Sequence, residues 1–438
     1  MNYPDSVRFL YSLGNEIKTA KLGLERIRAV LEALGRPQDR LRFLHVAGTN
    51  GKGSTCAMIE SALRAAGAPY GPRTGLFTSP HLAEPTERIR IGGRPVAAER
   101  FAEAFDRVHA VNALEDHTTY FETVTAMALL VFAEERADMV VLEVGLGGRL
   151  DATNVVSPDL CVITPVDFDH EAFLGKSLES IAGEKAGILK PGVPAVFARQ
   201  RPEAARVLDQ RAAELSIPVF RTTDWSVRDL DVDARGSRFR LTGERHLHLA
   251  CPLAGEHQVE NAVTAAVALA RLGIADSAIE TGIARTRWPG RLERVSERPE
   301  IILDGAHNPA GARALAAYID RFYSHRPVRL IYGAMRDKAI DEISGILFPL
   351  AAEIYLTQPN QSRAATPAEI LTAARIDSAR VFSEADPAKA LQRAVDASSP
   401  DDVVLAAGSL FLVGEIKGAL RNGELSFSGQ REQAAARV

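Results

Sequence analysis

The sequence predicts an α/β protein with mainly parallel sheets, built as two domains. Short apolar runs recur along its 438 residues, and several are rich in β-branched residues and apolar on both faces. Strands buried inside a parallel sheet have this character, because helices cover both faces of the sheet. A turn and then a helical pattern follow each run, and this alternation is typical of parallel α/β folds.

The predicted elements follow one another in that order along the chain. The strands are Phe43–Val46, Met139–Val144, Leu160–Val166, Ala195–Ala198, Ile301–Leu303, Val328–Tyr332, Glu353–Leu356 and Val403–Ala406. The clearest helices are Ser54–Ala66, Val124–Glu135, Val259–Leu272 and Ala310–Arg321. The stretch from Trp225 to Leu253 instead alternates polar and apolar residues, which predicts a small antiparallel addition with one solvated face.

A segment dense in charge separates two groups of these elements. It reads RTRWPGRLERVSERPE over residues 285–300, and its composition is typical of a domain boundary. We predict a first domain at residues 1–290 and a second, Rossmann-like domain at residues 295–425. The polar residues 426–438 are predicted to form a flexible tail.

Composition excludes several classes of protein. With 46% hydrophobic and 25% charged residues, the chain has the balance of a soluble globular protein. A net charge of −4 gives no basic field that would attract nucleic acid or an anionic membrane. No run approaches the roughly 20 apolar residues that cross a bilayer, and the N-terminus lacks the apolar core of a signal peptide. We expect no nucleic-acid partner and no membrane association.

The cysteines indicate the compartment. Cys56, Cys161 and Cys251 are far apart and lack CxxC spacing, which argues against a disulfide scaffold or a zinc site. Cys161 lies in an apolar run, where a buried and unreactive thiol is expected. A cytoplasmic location follows as the expectation.

A glycine-rich turn follows the first predicted strand, in the segment FLHVAGTNGKGST. Its three glycines let backbone N–H groups approach a polyanion, and its lysine supplies a positive charge. The hydroxyl residues after it open a helix, whose N-terminus favours anions and where a hydroxyl could reach Mg²⁺. The candidate phosphate-binding residues are Gly48, Thr49, Asn50, Gly51, Lys52, Gly53, Ser54 and Thr55.

Two alternatives bear on this loop. Gly48 and Gly51 stand closer together than the glycines of the Walker motif, and glycine follows Lys52, so an ordinary glycine-rich turn is the structural alternative. A second glycine motif, GLGGRL at residues 145–150, suggests a dinucleotide fold. Its third glycine would fall on Leu150, which disfavours a nicotinamide enzyme.

GTNGKGS resembles the ATP loop of the Mur ligase superfamily, and the rest of the chain resembles its folate branch, the dihydrofolate synthase/folylpolyglutamate synthase family. The matching segments span nearly the whole chain in order. They are GLERIRAVLEALG (23–35), HVAGTNGKGS (45–54), TGLFTSPHL (74–82), TERIRI (86–91), EVGLGGRLDATN (143–154), DHEAFLG (169–175), EKAGILKPG (184–192), EHQVENA (256–262), WPGRLE (288–293), LDGAHNP (303–309) and GSLFLVGE (408–415).

The resemblance implies a reaction and its participants. ATP phosphorylates a carboxylate to an acyl phosphate, and the amine of L-glutamate then attacks the carbonyl. The substrates would be ATP, L-glutamate and dihydropteroate or a reduced folate, with Mg²⁺ required and K⁺ as a further candidate. The resemblance also implies a P-loop-type ATP-binding N-terminal domain, a glutamate-binding C-terminal domain, an active site in the cleft between them and a monomeric enzyme.

The metal ligands are assigned by the resemblance, beside open alternatives. Glu143 closes a predicted strand, where a carboxylate can bind Mg²⁺ or pair with a nearby cation. His170 alone would be read as a hydrogen-bonding histidine, but the family implies a metal site with Glu143 and Ser79. Lys185 would be a solvated lysine of the predicted helix Ser180–Leu189, whereas the family motif EKAGI implies a buried, carbamylated lysine that supplies metal-binding oxygens.

The folate site is predicted from two loops and one aromatic residue. Pro80 and His81 belong to a loop that shapes the folate pocket in the family, although a plain turn is the alternative. Phe121 offers a stacking wall for the pterin, with core packing as its alternative. Asp151 is a candidate partner for the guanidine-like edge of the pterin.

The remaining site residues are carried over from the resemblance. Asn261, Arg291 and Asp304 are assigned to ATP, while Asp304, His307 and Ser409 are assigned to glutamate. His307 joins Lys52 and Lys185 as a candidate catalytic residue. The structural alternatives are an asparagine bonded to its own backbone, a solvated linker arginine and a serine helix cap.

Several rival functions stay open. A folylpolyglutamate synthase that only extends existing folates is the nearest, although GGRLDATN and TYFE favour a pocket able to take dihydropteroate. A peptidoglycan-building Mur ligase would need a dedicated domain ahead of the loop. A P-loop NTPase that makes no product, or a non-catalytic binding module, would differ in substrate dependence, because a ligase consumes ATP only in proportion to the amide formed.

Overall fold

The computed structural model describes residues 1–14, 23–71, 73–112, 118–375 and 380–427. The chain divides into two compact units. The first unit comprises Met1–Asp231, Arg238–Pro252 and His257–Arg287, and the second comprises Val232–Ser237, Leu253–Glu256 and Trp288–Val438. From residue 428 onward, the predicted tail at 426–438 lies outside the described residues.

The first part of the chain carries ten α-helices and eleven strands among the described residues, besides four short 3₁₀ helices. The helices are α1 (Tyr3–Ser12), α2 (Glu25–Ala33), α3 (Lys52–Ala66), α4 (Ala98–Val111), α5 (Tyr120–Glu134), α6 (Glu171–Leu174), α7 (Leu178–Ala186), α8 (Pro202–Glu214), α9 (Glu256–Arg271) and α10 (Asp276–Ala284). The strands are β1 (Phe43–Ala47), β2 (Thr74–Phe77), β3 (Ile89–Ile91), β4 (Arg94–Pro95), β5 (Met139–Glu143), β6 (Leu160–Ile163), β7 (Ala195–Phe197), β8 (Val219–Arg221), β9 (Ser226–Asp233), β10 (Gly236–Thr242) and β11 (His246–Cys251).

The elements that follow belong to the second unit. The strands are β12 (Glu293–Glu297), β13 (Glu300–Leu303), β14 (Val328–Tyr332), β15 (Glu353–Leu356), β16 (Val381–Ser383) and β17 (Val403–Ala407). The helices are α11 (Pro309–Tyr323), α12 (Ile340–Leu347), α13 (Pro367–Ala374), α14 (Pro387–Asp396) and α15 (Leu410–Arg421). The fold class predicted from the sequence, α/β with mainly parallel sheets, is confirmed.

The main sheet of the first unit has eight strands in the order β4-β3-β2-β5-β1-β6-β7-β8. β1 lies between β5 and β6, is parallel to both and is buried along its whole length. Only β3 and β4, at one edge, run antiparallel to their neighbours. The carboxyl ends of β1, β5 and β6 therefore meet at one edge of the sheet, where ligand sites of open α/β folds form.

A separate three-stranded sheet has the order β11-β10-β9. Ala234 and Arg235 alone connect β9 to β10, and so short a connection permits only antiparallel pairing. The antiparallel addition predicted between Trp225 and Leu253 is confirmed.

The sheet of the second unit has the order β12-β13-β17-β14-β15-β16. All neighbouring pairs are parallel except β12 with β13. Strand β12 lies inside residues 285–300, all of which the sequence predicted to be a domain boundary, so that prediction is wrong for Glu293–Glu297. The charges that hid this strand are paired, since Arg294 contacts Glu300, and Lys417 contacts Glu293.

Three strand predictions extend too far, and one of them, Ala195–Ala198, leaves the sheet after Phe197. The run Leu160–Val166 leaves the sheet after Ile163, and the run Met139–Val144 leaves it after Glu143. The amide of Thr164 still donates to the carbonyl of Ala47, whereas Pro165 and Asp167 bind the loop that follows β1. The apolar character of these residues alone does not show where each strand ends.

The three cysteines are buried and form no disulfide. Burial raises the pKa of the Cys161 thiol to about 12. Burial also raises the pKa of the Cys56 thiol well above its usual value, and the nearby carboxylate of Glu143 adds to this effect. These thiols are therefore protonated at neutral pH and poorly reactive.

Helix α10 packs against α3 at a point where both backbones approach closely. A Cβ added at Gly282 would lie 2.1 Å from Ala62 Cα and 2.5 Å from Ala62 N. The Ser61 hydroxyl donates to the carbonyl of Gly282 at 2.7 Å. α3 begins at the glycine-rich loop, so this contact fixes the helix behind that loop.

Gly282→Ala should therefore destabilise the protein by about 2 kcal/mol or more, because the extra methyl overpacks a backbone contact. Urea unfolding would measure the loss. Gly345→Ala in α12 is the matched control, because its Cβ would meet no atom within 4 Å. That change should raise stability by about 0.5–1 kcal/mol through the better helix propensity of alanine. Equal effects of the two changes would contradict the close-packing interpretation.

Candidate active site

The glycine-rich loop connects β1 to α3. Gly48 has φ of 148° and Gly51 has φ of 82°, conformations that favour glycine. A Cβ at Gly48 would lie 1.8 Å from Thr164 Oγ1, and one at Gly51 would lie 2.1 Å from Asn261 Oδ1. Both glycines are therefore required by conformation and by space.

The segment that follows β6 holds this loop in place. The amides of Thr49 and Asn50 donate to the carbonyl of Pro165 at 2.9 and 3.3 Å. The Thr49 hydroxyl donates to the carbonyl of Asp167 at 2.9 Å and accepts from its amide at 3.0 Å. Thr49, predicted to bind ATP, has a structural role in fixing the loop.

Lys52 begins helix α3 and folds back over the loop. Its Nζ donates to the carbonyls of Gly48 and Thr49 at 3.1 and 3.2 Å. This places the ammonium group directly above the turn, at the N-terminus of a fifteen-residue helix. A positive charge and a helix N-terminus at one position favour an anionic ligand.

Helix α9 presents two buried amides to the loop. Gln258 Nε2 donates to Ser54 Oγ at 3.3 Å, and Asn261 Nδ2 donates to Gln258 Oε1 at 3.0 Å. Sequence reasoning identified Asn261 but missed Gln258. Their spacing of three residues places them on one face of the helix, which is the signal that could have found Gln258.

Glu143 ends β5, opposite Val46 of β1, and is buried. Its carboxylate accepts from the amide of Ser79 at 3.0 Å. Two predicted metal-site residues, Ser79 and Glu143, are thus in contact at the sheet edge. A carboxylate beside the phosphate loop is the usual position for a ligand of Mg²⁺ bound with a nucleotide.

His170 has a left-handed backbone with φ of 53° and precedes the short helix α6. Its Nε2 lies 3.8 Å from Asp169 Oδ2, and its amide donates to Asp169 Oδ1 at 2.9 Å. Within the described ranges, no group of three or more histidine, cysteine, aspartate or glutamate side chains is placed to hold a metal. The role of His170 as a metal ligand stays a prediction.

The donors at the loop fit magnesium bound together with ATP. Mg²⁺ takes one or two protein carboxylates and completes its shell with phosphate oxygens and water. Glu143 is such a carboxylate. Thr55 Oγ1, one turn into α3, is buried and has no hydrogen-bond partner in the described part of the chain, so its hydroxyl is a further oxygen donor.

Lys185 is buried in α7, which excludes the alternative of a solvated lysine. Burial and, to a smaller extent, the ammonium of Lys52 lower the pKa of its amino group to about 7, against the opposing effects of Asp169, Asp151 and Glu184. Lys185 is therefore within electrostatic reach of the phosphate loop.

The loop before β3 places His81 in a buried network. Arg88 Nε donates to His81 Nδ1 at 2.8 Å, so the proton of the neutral imidazole is on Nε2, which donates to the Tyr11 hydroxyl at 3.3 Å. Burial holds the pKa of His81 well below its usual value, and Arg88 adds to this effect. Sequence reasoning missed both partners of His81. The preceding Pro80 follows a cis peptide bond with Ser79.

Phe121 and Asp151 flank the glycine segment after β5. A Cβ at Gly145 would lie 2.4 Å from the Phe121 ring, so the ring packs directly on that backbone. Asp151 is buried and accepts from the amides of Leu146 and Thr153 at 2.8 and 3.0 Å. Burial raises the pKa of Asp151, which these hydrogen bonds oppose. Its carboxylate organises the segment, and its contact with a pterin stays a prediction.

In the second unit, Asp304 follows β13 and organises a turn. Its Oδ2 accepts from the amide of Leu292 and its Oδ1 from the amide of Ala306, both at 2.9 Å. A Cβ at Gly305 would lie 2.4 Å from a guanidinium nitrogen of Arg291, so Arg291 lies against the same turn.

His307 and Ser409 complete this group. His307 Nδ1 lies 2.8 Å from the carbonyl of Gly305 and donates to it. Ser409 caps α15 by accepting from the amide of Phe411 at 3.1 Å, and the adjacent Gly408 amide donates to Ala306 at 3.0 Å. The second unit thus gathers Arg291, Asp304, His307 and Ser409 at the carboxyl ends of β13 and β17.

Comparison with known proteins identifies the family. The model of the Mur ligase middle domain matches residues 46–269, and that of the Mur ligase glutamate ligase domain matches residues 290–410. The chain is 35% identical to the dihydrofolate synthase/folylpolyglutamate synthase of Bacillus subtilis (strain 168) over 416 residues, 92% of this chain and 95% of that protein. The chain belongs to the dihydrofolate synthase/folylpolyglutamate synthase family.

Solved structures of this family have the same fold. E. coli FolC in complex with DHPP and ADP matches with a TM-score of 0.87 at 32% identity, covering 97% of this chain and 99% of that one. The bifunctional folylpolyglutamate synthase/dihydrofolate synthase of Yersinia pestis, complexed with AMPPNP and Mn ion, matches with a TM-score of 0.84 at 34% identity, covering 96% and 98%.

The family predicted from the sequence motifs is confirmed, and with it an ATP-dependent ligase of folate metabolism. The roles of individual side chains stay predictions, although the structure groups most of them at two sheet edges, one in each unit. No helix in the part of the chain that the structure describes is long and apolar enough to cross a membrane.

His45 is a buried residue of the family motif HVAGTNGKGS that sequence reasoning did not single out. Its ring Nε2 lies 2.9 Å from Thr153 Oγ1, whose hydrogen goes to Asp151, so His45 donates to Thr153. Burial lowers the pKa of His45 to about 3, and Lys190 adds a smaller effect. The neutral imidazole links β1 to the segment that Asp151 organises.

His45→Gln should make stability less sensitive to acid. Between its unfolded pKa of 6.5 and its folded pKa of about 3, His45 binds a proton only in the unfolded state, so its contribution lowers the free energy of unfolding as the pH falls. The wild type should lose up to ~1.4 kcal/mol per pH unit more than the variant across that window. Urea unfolding at pH 6.5 and pH 4.5 measures the difference. His325→Gln, at an exposed position, is the control, and equal slopes for wild type and His45→Gln would refute the assignment.

Proposed function

We propose that this chain joins L-glutamate both to dihydropteroate and to reduced folates, with ATP converted to ADP and phosphate. The single observation that carries the proposal is the loop between β1 and α3, where two obligatory glycines and Lys52 lie beside the carboxylate of Glu143. That arrangement supports binding of a magnesium-bound polyphosphate. It occurs in a family with a member solved in complex with DHPP and ADP.

The first step joins two anions. A carboxylate oxygen of the folate substrate attacks the γ-phosphorus of ATP, the bond to the bridging oxygen breaks, and ADP leaves with that electron pair. Lys52 and the loop amides neutralise the charge on the phosphates. Glu143, Ser79 and Thr55 would hold Mg²⁺, with Lys185 and His170 as the further predicted ligands. The metal ion would supply positive charge at the phosphate oxygens.

The second step forms the amide. The neutral amine of glutamate attacks the carbonyl carbon of the acyl phosphate, the carbon–oxygen bond breaks, phosphate leaves, and the nitrogen gives up a proton. We assign His307 and Ser409 to the glutamate site and Arg291 and Asn261 to the nucleotide. Asp304 supports the turn that carries His307, as its two amide contacts indicate.

The use of dihydropteroate as a substrate is the more specific part of the proposal. It is supported by the Phe121 ring packed on Gly145 and by the segment that Asp151 organises. A folylpolyglutamate synthase that accepts only existing folates is the second candidate. The two differ in whether a substrate without a glutamate residue is used.

We further propose a monomeric enzyme located in the cytoplasm. The three cysteines are buried and form no disulfide, which supports a reducing compartment. K⁺ is retained as a candidate activator, which replacement of K⁺ by Na⁺ in the assay would test.

The deciding experiment is phosphate release by the purified protein with ATP, Mg²⁺ and L-glutamate, started by adding dihydropteroate. Release that depends on every component, with dihydrofolate formed in equal amount, supports the bifunctional proposal. Activity with tetrahydrofolate but not with dihydropteroate supports the folylpolyglutamate synthase alternative. ATP hydrolysis without any amide product would overturn both.

A further inference from the structure

The segment Gly145–Asn154, which the sequence assigned to the folate, packs its backbone on helix α7. A Cβ at Gly148 would lie 2.7 Å from the carbonyl oxygen of Glu184 and 3.1 Å from Lys185 Cα. A Cβ at Gly187, just after the helix, would lie 2.5 Å from Arg149 Cα. A glycine on each side therefore allows the two backbones to touch with no side chain between them.

Hydrogen bonds join the same two elements. The amide of Arg149 donates to the carbonyl of Glu184 at 2.8 Å, and the Arg149 guanidinium donates to the Glu184 carboxylate at 2.8 Å. The side-chain pair is largely exposed at Arg149, so it contributes little to stability. The main-chain bond beneath it sets the register of the segment on α7.

Asn154 supplies the buried link. Its Nδ2 donates to the carbonyl of Arg149 at 2.9 Å and to the carbonyl of Gly187 at 3.1 Å. The side chain is buried, with 6% of the residue exposed. An amide nitrogen carries two hydrogens, and here each goes to a carbonyl, one in the segment and one after α7. Asn154 thus ties the end of α7 to the segment with both of its donors.

The helix held in this way carries Lys185. α7 has nine residues, and a helix of that length takes its position from tertiary contacts and not from its own stability. Lys185 lies two residues before Gly187, with its side chain buried near the charges of Lys52 and Asp169. A shift of the end of α7 would move the amino group away from the phosphate loop.

We propose that Asn154 is a positioning residue for Lys185, holding α7 so that the lysine side chain stays at the phosphate loop. This rests on the proposed function, in which Lys185 acts at the phosphate-transfer step. Asn154 touches neither the substrate nor the nucleotide in this assignment. The segment Gly145–Asn154 then serves the reaction with every folate substrate, and not only the recognition of a pterin.

The test compares Asn154→Ala and Asn154→Ser with wild type. Because misplacement of a reacting group by about 1 Å costs on the order of 100-fold in rate, Asn154→Ala should lower kcat by ~10- to 100-fold. The loss should be the same with dihydropteroate and with tetrahydrofolate, and KM for either should change less than twofold. Asn154→Ser keeps one hydrogen-bond donor, so its kcat should lie between those of wild type and Asn154→Ala. This variant preserves the test if the alanine variant folds poorly.

Two further measurements separate positioning from general destabilisation. Hydrogen exchange should show faster exchange of the α7 amides in Asn154→Ala. Asn112→Ala removes another buried asparagine, whose Nδ2 donates to Thr118 at 2.8 Å, and is the control that should leave α7 exchange and kcat unchanged. In a Lys185→Ala background, Asn154→Ala should cause no further loss of kcat, as expected for residues that act together.

Three results would overturn the inference. They are a raised KM for the folate substrates with unchanged kcat, a lowered kcat without faster exchange in α7, and additive losses in the double variant. Absence of ligation by the wild type with any folate would instead refute the proposed function. The exchange comparison would then still decide whether Asn154 holds α7.

Discussion

Lys52→Ala is expected to lower kcat for ligation by about 100-fold or more, while KM for the folate substrate changes little. The ammonium group lies over the turn at the start of α3, where the proposed function places the phosphates of ATP. Removing one preorganised group of this kind costs ~100- to 1,000-fold in kcat. Its partners in the protein are carbonyls of its own loop, so the fold should lose little stability. Steady-state phosphate release and a thermal melt measure the two quantities.

Lys389→Ala is the control for this variant. Lys389 is exposed on α14, and its loss should change neither kcat nor the melting temperature. A wild-type kcat in the Lys52→Ala variant would refute the phosphate-binding role that we propose for the loop. A variant that is inactive because it is unfolded would show itself in the melt.

Glu143→Gln is expected to reduce kcat by ~100-fold without lowering the free energy of unfolding. The glutamine oxygen can still accept from the amide of Ser79, so the adjoining loop should keep its position. Without bound metal, the buried carboxylate is a cost to the folded state, and its neutral isostere should be as stable or more stable. Ligation at increasing Mg²⁺ concentration and urea unfolding without metal test the two halves of this prediction.

Glu122→Gln is the matched comparison, because Glu122 is also buried but makes a two-point contact with Arg26 at 3.0 and 3.1 Å. Removing that charge takes the Glu122 carboxylate away from a largely enclosed guanidinium and should lower stability by about 3 kcal/mol. Opposite effects of the two substitutions on stability would mark Glu143 as a functional carboxylate and Glu122 as a structural one. A similar loss of stability in both would contradict that distinction.

The sequence was most informative where local chemistry determines structure. The buried run that became β1 and the glycine turn after it were recognisable because strand, glycines, lysine and helix follow one another directly. Ser409 as a helix cap was likewise predictable, since a cap depends on residues next to it in the chain.

Other parts depend on contacts that no local pattern contains. His45 meets Thr153, and His81 meets Arg88 and Tyr11, only after the sheet has formed. Strand β12 is rich in charge, and its pairing partners lie in other elements. The amides of Leu146 and Thr153 that donate to Asp151 could not be foreseen from the sequence either. The sequence shows which side chains could act in a reaction. The fold shows which of them already make hydrogen bonds within the protein.

The burial of all three native thiols has a practical consequence for experiments on this enzyme. A cysteine introduced at an exposed position, such as Lys389→Cys, should be the fast-reacting thiol toward maleimide reagents in the native protein. Fluorophores or spin labels could then be attached without first removing Cys56, Cys161 and Cys251. Distances and motions would then be measured on the enzyme with its native buried residues unchanged.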